Sequence, residues 1–120
     1  MKRIDAIIPE KSLDAVDKSL KNVNVSGLTV FNASGRGKNQ NEPNQLGHWL
    51  YYPAFGENKV IAILAEDNNV ETIVQAIKNS TNAGKIIVTS IDNLIDVANN
   101  TIGPEALWFW SNRYFLFFQF

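Results

Sequence analysis

The spacing of apolar residues predicts a strand, a helix and a second strand in the first third of the chain. Apolar and polar side chains alternate over residues 2–8 (KRIDAII), as in a strand with one buried face. The next apolar residues recur three and four positions apart, which predicts a helix over about 13–22 with Ser12 as its N-cap. Residues 25–33 (VSGLTVFNA) have strand character, and a long polar loop is predicted over about 34–57. The residues predicted to face the core are Ile4, Ala6, Ile8, Leu13, Val16 and Leu20.

The second half of the chain repeats the same order of elements. Residues 59–65 (KVIAILA) are almost continuously apolar, which is typical of a strand covered on both faces. A helix is predicted over about 69–81, because apolar residues again recur at helical spacing and the pair Asn68 and Glu71 resembles a capping box. Residues 85–90 (KIIVTS) form the fourth predicted strand.

Two further elements are predicted after this repeat. Ser90 is expected to cap a short helix over about 91–98, which carries Ile91, Leu94, Ile95 and Ala98 on one face. The aromatic residues of the C-terminal extension, about 104–120, are expected to form a final strand. This extension is so apolar that burial is expected, either against the sheet or against another surface.

This order of elements predicts an α+β protein with a ferredoxin-like βαββαβ sandwich, in which both helices cover one face of a four-stranded antiparallel sheet. All 120 residues are expected to form a single domain. The other face of the sheet is left bare, although the strands carry apolar residues for both faces. Self-association is the simplest way to cover that face.

Composition and charge exclude several classes of protein. The formal net charge is −1, so no basic surface indicates nucleic-acid binding. The chain has no cysteine, which excludes disulfides and thiolate chemistry. No apolar run is long enough to span a membrane, and the N-terminus does not have the pattern of a signal peptide. A cytoplasmic location is therefore expected.

The order and spacing of several short motifs resemble the nitrogen regulatory PII signal-transduction proteins. These motifs are the opening MKRIDAII, the GLTV of residues 27–30, the GRGKN of residues 35–39 and the second helix with its acidic turn. The resemblance covers about residues 1–98. It implies a trimer with the sheets facing inward, with ATP or ADP in the three clefts between subunits; whether Mg²⁺ accompanies the nucleotide is left open. It also implies that residues 34–57 are a T-loop that signals to a protein target, such as a membrane transporter.

The resemblance also assigns residues to the nucleotide. Glycines of the SGRGK segment allow backbone amides to approach a phosphate closely, although the segment is not a Walker A motif. Arg36, Lys38 and Lys85 supply the charge, and strand residues supply the base pocket or, equally well, ordinary core. The assigned positions are Ile7, Leu28, Thr29, Gly35, Arg36, Gly37, Lys38, Ile63, Leu64, Gly84 and Lys85.

The chain departs from the family pattern at several of these places. The B-loop, which surrounds the phosphates in the family, is shortened to NAGK at residues 82–85. Asp96 and Ala98 occupy the positions of two phosphate-binding arginines. Asn39 replaces the glutamine that helps to hold 2-oxoglutarate. The chain thus resembles a divergent branch, distinguished by a short B-loop and an aromatic extension.

Aromatic residues of the predicted loop form a second candidate site. Trp49, Tyr51, Tyr52 and Phe55 are expected to dock on a partner protein, or alternatively to pack as a lid on the body. The single histidine, His48, is expected to be solvated, and no metal site is predicted.

Two functions are compatible with these observations. One is a nucleotide sensor that signals energy or nutrient state through its loop; the other is a trimeric scaffold that has lost nucleotide binding and uses the extension and loop for interaction. An enzyme is not expected, because no nucleophile–base pair or paired catalytic carboxylates stand out. A bulky substitution of Gly37 discriminates between the two functions.

Overall fold

The computed structural model describes residues 1–38, 43–46 and 48–107. Single turns of 3₁₀ helix, Glu10–Ser12 and Asp67–Asn69, precede the two α-helices, and residues 104–107 are helical. The elements are β1 (Lys2–Pro9), α1 (Leu13–Asn22), β2 (Thr29–Gly35), β3 (Asn44–Leu46), β4 (Trp49–Tyr51), β5 (Gly56–Ala65), α2 (Val70–Ser80), β6 (Lys85–Ser90), β7 (Ile95–Asp96) and β8 (Thr101–Ile102).

The main sheet has the order β2-β5-β1-β6, and all three of its strand pairs are antiparallel. The two central strands, β1 and β5, pair from Lys2 opposite Ala65 to Pro9 opposite Asn58. With α1 and α2 as crossovers, this is the predicted ferredoxin-like α+β fold. The edges are β2 and β6, so the two halves of the chain contribute one central and one edge strand each.

The core lies between the sheet and the two helices. The alternation predicted for β1 is confirmed, because Ile4, Ala6 and Ile8 are at most 1% exposed. Across the helices, the Ser19 hydroxyl donates a hydrogen bond of 2.9 Å to the carbonyl of Ala76. The other buried apolar residues of this cluster are Val16, Leu20, Ile61, Ile63, Ala65, Ile73, Ala76 and Ile77.

Both helices begin and end within one residue of the predicted positions. The predicted side-chain caps, however, are wrong. The N-cap of α2 is Asn69, because the predicted Asn68 lies inside the preceding 3₁₀ turn. The side chains of Ser12 and Asn69 make no capping hydrogen bond, and both residues have helical backbone angles. A 3₁₀ turn leads into each helix, so the residue at the N-cap already has helical backbone angles and not the extended angles that a capping side chain needs. The Ser12 hydroxyl instead accepts a hydrogen bond of 3.0 Å from the Thr81 hydroxyl, which ties the two helix ends together.

The short helix predicted over 91–98 does not form. Residues of this segment build the β7–β8 hairpin instead, with Ile95 opposite Ile102. The Asp96 carboxylate accepts hydrogen bonds from the backbone amides of Ala98 (2.9 Å) and Asn99 (3.0 Å). An aspartate that bonds its own following amides favours a turn over a helix. Asn100 completes the turn in the left-handed region, at φ 56°.

The predicted loop over 34–57 is shorter and more ordered than its composition indicates. The pairing of β2 with β5 continues to Gly35 opposite Gly56. Beyond that pair, β3 and β4 form an antiparallel hairpin, with Leu46 opposite Trp49. The C-terminal extension was predicted to be a strand, but its described residues 104–107 are helical; the rest of the predicted strand, from residue 108 onward, lies outside the described residues. Within the part that the structure describes, no helix is both long and apolar enough to cross a membrane.

Candidate functional site

One group of the predicted site residues lines a cavity at the start of β2. The cavity has a volume of about 660 Å³, and Leu28, Thr29, Ile63 and Leu64 contribute to its wall. The side chain of Ile63 is only 1% exposed, so it belongs to the core. The other lining residues are Asn24, Val25, Ser26, Gly27, Ala62, Ala65, Glu66, Asn69 and Leu107.

Sequence reasoning missed the polar part of this wall. Glu66 and Asn69 come from the turn after β5, and both residues are exposed. The signal was present in the sequence, since AEDNN places polar groups directly after an apolar strand. The sequence does not show that the connection from α1 to β2 packs beside this turn. The cavity therefore combines an apolar wall with hydrogen-bonding groups at one end.

A second group, Ile7, Gly84 and Lys85, lies at the start of β6. Ile7 is the register partner of Lys85. Gly84 has φ +127°, and a Cβ atom there would lie 2.2 Å from the carbonyl oxygen of Ile7. Only glycine fits this conformation and this approach of two backbones. A smaller cavity of about 250 Å³ adjoins Gly84 and Lys85, with Lys78, Thr81 and Asn82 among its lining residues.

The third group, Gly35 to Lys38, follows the end of β2. Gly35 pairs with Gly56, and the exposed Arg36, Gly37 and Lys38 come directly after it. The two cations are thus held at the point where the chain leaves the sheet for the β3–β4 hairpin.

The three groups do not meet within one chain. Thr29 and Gly35 lie six positions apart on β2, which corresponds to about 20 Å at roughly 3.3 Å per residue. Lys85 lies on the opposite edge strand, three strand spacings or about 14 Å from β2, and by register it is level with Phe31, four positions before Gly35. One chain therefore supplies parts of a site rather than a whole one.

Among the described residues, most of the sheet face opposite the helices is left uncovered, as the sequence predicted; the β7–β8 hairpin and residues 104–107 lie beside Leu64 only. By register, Ile7, Thr29, Leu64 and Lys85 all lie on this face. Three of its large apolar side chains are partly exposed, namely Phe31 at 45%, Leu64 at 41% and Ile87 at 46%, whereas Val60 is 8% exposed. The Arg3 side chain donates to both carboxylate oxygens of Asp5 on the same face, at 3.1 and 3.0 Å. Four of the predicted nucleotide residues thus face the surface where a second copy of the chain would pack.

The aromatic residues of the β3–β4 region are exposed to solvent. Trp49 is 80% exposed, Tyr52 47% and Phe55 59%, and Leu50 between them is 61% exposed. The side chain of Tyr51 is outside the described residues. These exposures do not support a lid in which Trp49 packs on the body. The docking role of the four predicted residues stays a prediction.

The positions that the family gives to two arginines have other uses here. Asp96 closes the β7–β8 turn, and its second carboxylate oxygen accepts a hydrogen bond of 3.3 Å from the Asn99 side chain. Ala98 follows in the same turn and is exposed. The described residues contain no group of three or more acidic, histidine or cysteine side chains placed to hold a metal ion.

Comparison with known proteins identifies the family. The family model of the nitrogen regulatory protein P-II matches residues 1–100. The chain belongs to the P-II family. Two relatives named nitrogen regulatory protein P-II are similar to it: that of Rhizobium meliloti, at 29% identity, and that of Azospirillum brasilense, at 30%. Each alignment covers 89% of this chain and 100% of the relative. The nitrogen regulatory protein GlnK1 of Methanosarcina mazei is 32% identical, over 89% of this chain and 97% of its own.

Proposed function

We propose that this protein is a cytoplasmic PII-type regulator that binds ATP or ADP between the subunits of a homotrimer. The bound nucleotide sets the conformation of the segment 34–57, which signals to a partner protein, for example a membrane transporter. The protein acts by binding and catalyses no reaction.

The observation that carries this proposal is the placement of the predicted nucleotide residues. Ile7, Thr29, Leu64 and Lys85 share the sheet face opposite the helices, yet Thr29 and Lys85 lie on opposite edge strands of the sheet. A second copy packed on this face brings the cations of one chain near the cavity of another. This arrangement would bury the exposed apolar face and would bring the separated groups of site residues together between two chains.

The phosphate end of the proposed site rests on Gly84 and Lys85. The left-handed glycine turns the chain into β6, and the exposed Lys85 ammonium follows at once. A lysine binds phosphate as a point charge, and each charge-assisted hydrogen bond contributes about 1.5–3 kcal/mol. Because Asp96 and Ala98 provide no cation, Lys85 carries a large share of the phosphate contact. Arg36 and Lys38 at the end of β2 are the other candidates.

Signalling follows from the position of Gly35–Lys38 between the sheet and the β3–β4 hairpin. A nucleotide that contacts Arg36 or Lys38 binds one hairpin conformation more tightly than another. The population of that conformation then increases with ligand concentration. The exposed Trp49, Tyr52 and Phe55 place an apolar surface on the element that moves.

Isothermal titration calorimetry of the purified protein tests nucleotide binding. ATP, ADP, AMP and cyclic dinucleotides are titrated separately, with and without Mg²⁺ and 2-oxoglutarate. Saturable binding of one adenine nucleotide per chain supports the proposal. Lys85→Ala should weaken that binding about 10-fold or more. Lys18→Ala removes an exposed lysine from α1 and is the matched control.

The same titrations distinguish the alternative function. A trimer that binds none of these nucleotides at millimolar concentration contradicts the sensor and favours a scaffold, which the absence of the two arginines would explain. Substitution of Gly37 by Trp gives an independent check. A Cβ atom at this glycine meets nothing within 4 Å, so we expect the fold to accept the substitution, whereas the indole should obstruct a ligand held by Arg36 and Lys38.

A further inference from the structure

A second groove lies between the β7–β8 hairpin and the bare sheet face. It has a volume of about 360 Å³, and it shares Leu64 and Leu107 with the larger cavity at β2. Its wall combines Leu64 of β5 with the hairpin and with the short helical turn 104–107. The lining residues are Leu64, Leu94, Ile95, Asp96, Val97, Ala98, Ala106 and Leu107.

The rim of this groove is apolar and uncovered by the described residues. Val97 is 93% exposed, Ile102 58% and Ile95 56%. Three β-branched apolar side chains at one exposed hairpin indicate a surface that another segment covers. Asp96 is the one charged residue in the groove wall, and its carboxylate already accepts hydrogen bonds within the turn.

We propose that the chain's own C-terminal segment, residues 108–120, occupies this groove. The described structure ends at Leu107, which itself forms part of the groove wall. Since consecutive Cα atoms are 3.8 Å apart, the segment necessarily starts at the groove. Thirteen residues follow, and their sequence WFWSNRYFLFFQF is mainly aromatic. This segment therefore has both the position and the composition to cover the rim.

Charge supports the same occupant. The segment that builds the groove, 91–107, contains Asp92, Asp96 and Glu105 and no lysine or arginine. The C-terminal segment carries a single charged residue, Arg113. The two segments are thus complementary in sign as well as in apolar surface. This inference does not depend on nucleotide binding.

Tryptophan fluorescence tests the proposal, because two of the three tryptophans, Trp108 and Trp110, are in the C-terminal segment. The full chain is prepared with Trp49→Phe, so that all emission comes from that segment. We expect emission shifted to short wavelength and weak quenching by acrylamide. Freely quenched emission, like that of a short peptide, overturns the proposal.

A charge placed on the groove rim supplies the decisive comparison. In the Trp49→Phe background, Val97→Asp should raise the acrylamide quenching constant several-fold, because it puts a carboxylate against the aromatic segment. Phe55→Asp adds the same charge at an exposed apolar position elsewhere and should leave quenching unchanged. Circular dichroism confirms that both variants are folded. If the tryptophans are shielded but Val97→Asp does not change their acrylamide quenching constant, the segment does not dock in this groove.

Mixed assemblies show whether the segment docks on its own chain. Chains with Trp49→Phe are refolded with an excess of Val97→Asp chains in which Trp49, Trp108 and Trp110 are all replaced by Phe. If docking is within one chain, the tryptophans stay shielded. Increased quenching in the mixture shows instead that the segment docks on a second copy, which overturns the proposal as stated.

Discussion

At the scale of single residues, the neighbouring sequence predicts some structural roles of a side chain correctly and misses others. Ser12 occupies its predicted N-cap position, whereas the N-cap of α2 is Asn69 and not the predicted Asn68; neither N-cap side chain makes a capping hydrogen bond, because 3₁₀ turns precede both helices. Gly84 is the opposite case. The NAGK segment indicates only a turn, whereas the structure gives this glycine a left-handed backbone in contact with β1. The contact is with Ile7, far away in sequence, so local pattern alone could not reveal it.

Gly84→Ala should destabilise the fold more than any other glycine-to-alanine change in the sheet connections. The substitution combines a left-handed backbone with a Cβ placed 2.2 Å from the Ile7 carbonyl oxygen. The strained backbone alone costs about 1–3 kcal/mol. Urea denaturation measures the loss. Gly37→Ala is the control, because open space surrounds that residue; equal losses for the two variants would contradict the steric reason.

The ion pair between the Met1 amino group and Asp67 should make stability depend on pH. The distance is 2.9 Å, and the hydrogen bond from the amino group, with its charge, lowers the pKa of Asp67 below 3.8. A lowered folded-state pKa stabilises the protein above the unfolded value, and this stabilisation is lost as the pH falls through the folded value. Asp67→Asn should therefore have a slightly lower urea midpoint at neutral pH and the same midpoint in acid. A difference that persists in acid would indicate a cause other than the ion pair.

At the scale of elements, the periodicity of apolar residues was sufficient to predict the type and approximate position of the four strands and two helices of the sandwich. Their residues alternate or recur against one shared core, so the local pattern and the tertiary packing agree. The segment 91–98 was predicted as a helix because Ile91, Leu94 and Ile95 have helical spacing. The backbone amides that follow Asp96 bond to its carboxylate instead, and Ile95 pairs with Ile102 in a hairpin. The β3–β4 hairpin was missed because its strands of three residues are too short to show a period.

The packing of α2 on the sheet predicts a large effect at its buried face. Ile77 is fully buried in the cluster between the sheet and α1. Ile77→Ala should lower the free energy of unfolding by about 2–5 kcal/mol, through lost burial and the cavity left behind. Gln75→Ala on the exposed side of the same helix should change it by less than about 0.5 kcal/mol. Chemical denaturation of both variants provides the test, and a small loss at Ile77 would place the core elsewhere.

At the scale of the whole molecule, the sequence indicated a bare sheet face but could not locate the site. Residues such as Thr29 and Lys85 were grouped by resemblance, and their separation across the sheet becomes visible only once strand order and register are known. The spacing of residues along one sequence does not give the distance between residues of two different subunits. A site divided between subunits is thus the part of the function that the sequence describes least directly.

If the bare face joins the subunits, a charge on it should prevent assembly. Ile87 lies on β6 and is 46% exposed in the single chain. Ile87→Glu would bury an unpaired carboxylate in the interface, at a cost of several kcal/mol for each charge. Sedimentation velocity should show a monomer in place of the trimer, together with loss of nucleotide binding. Phe55→Glu, at an exposed residue outside the sheet, should leave the trimer intact; a trimer that tolerates Ile87→Glu would place the interface on another surface.

The strand order also has a consequence for synthesis of the chain. β1 is made first, but it is a central strand whose partners are β5 and β6, up to residue 90. At about 5–20 residues per second, a ribosome needs roughly 5–20 s to supply both partners. Throughout this time Ile4, Ala6 and Ile8 have no sheet to enter, and the long-range pairing that they need is slow to form. β1 is therefore the strand of the main sheet that waits longest for its partners while the chain is being made.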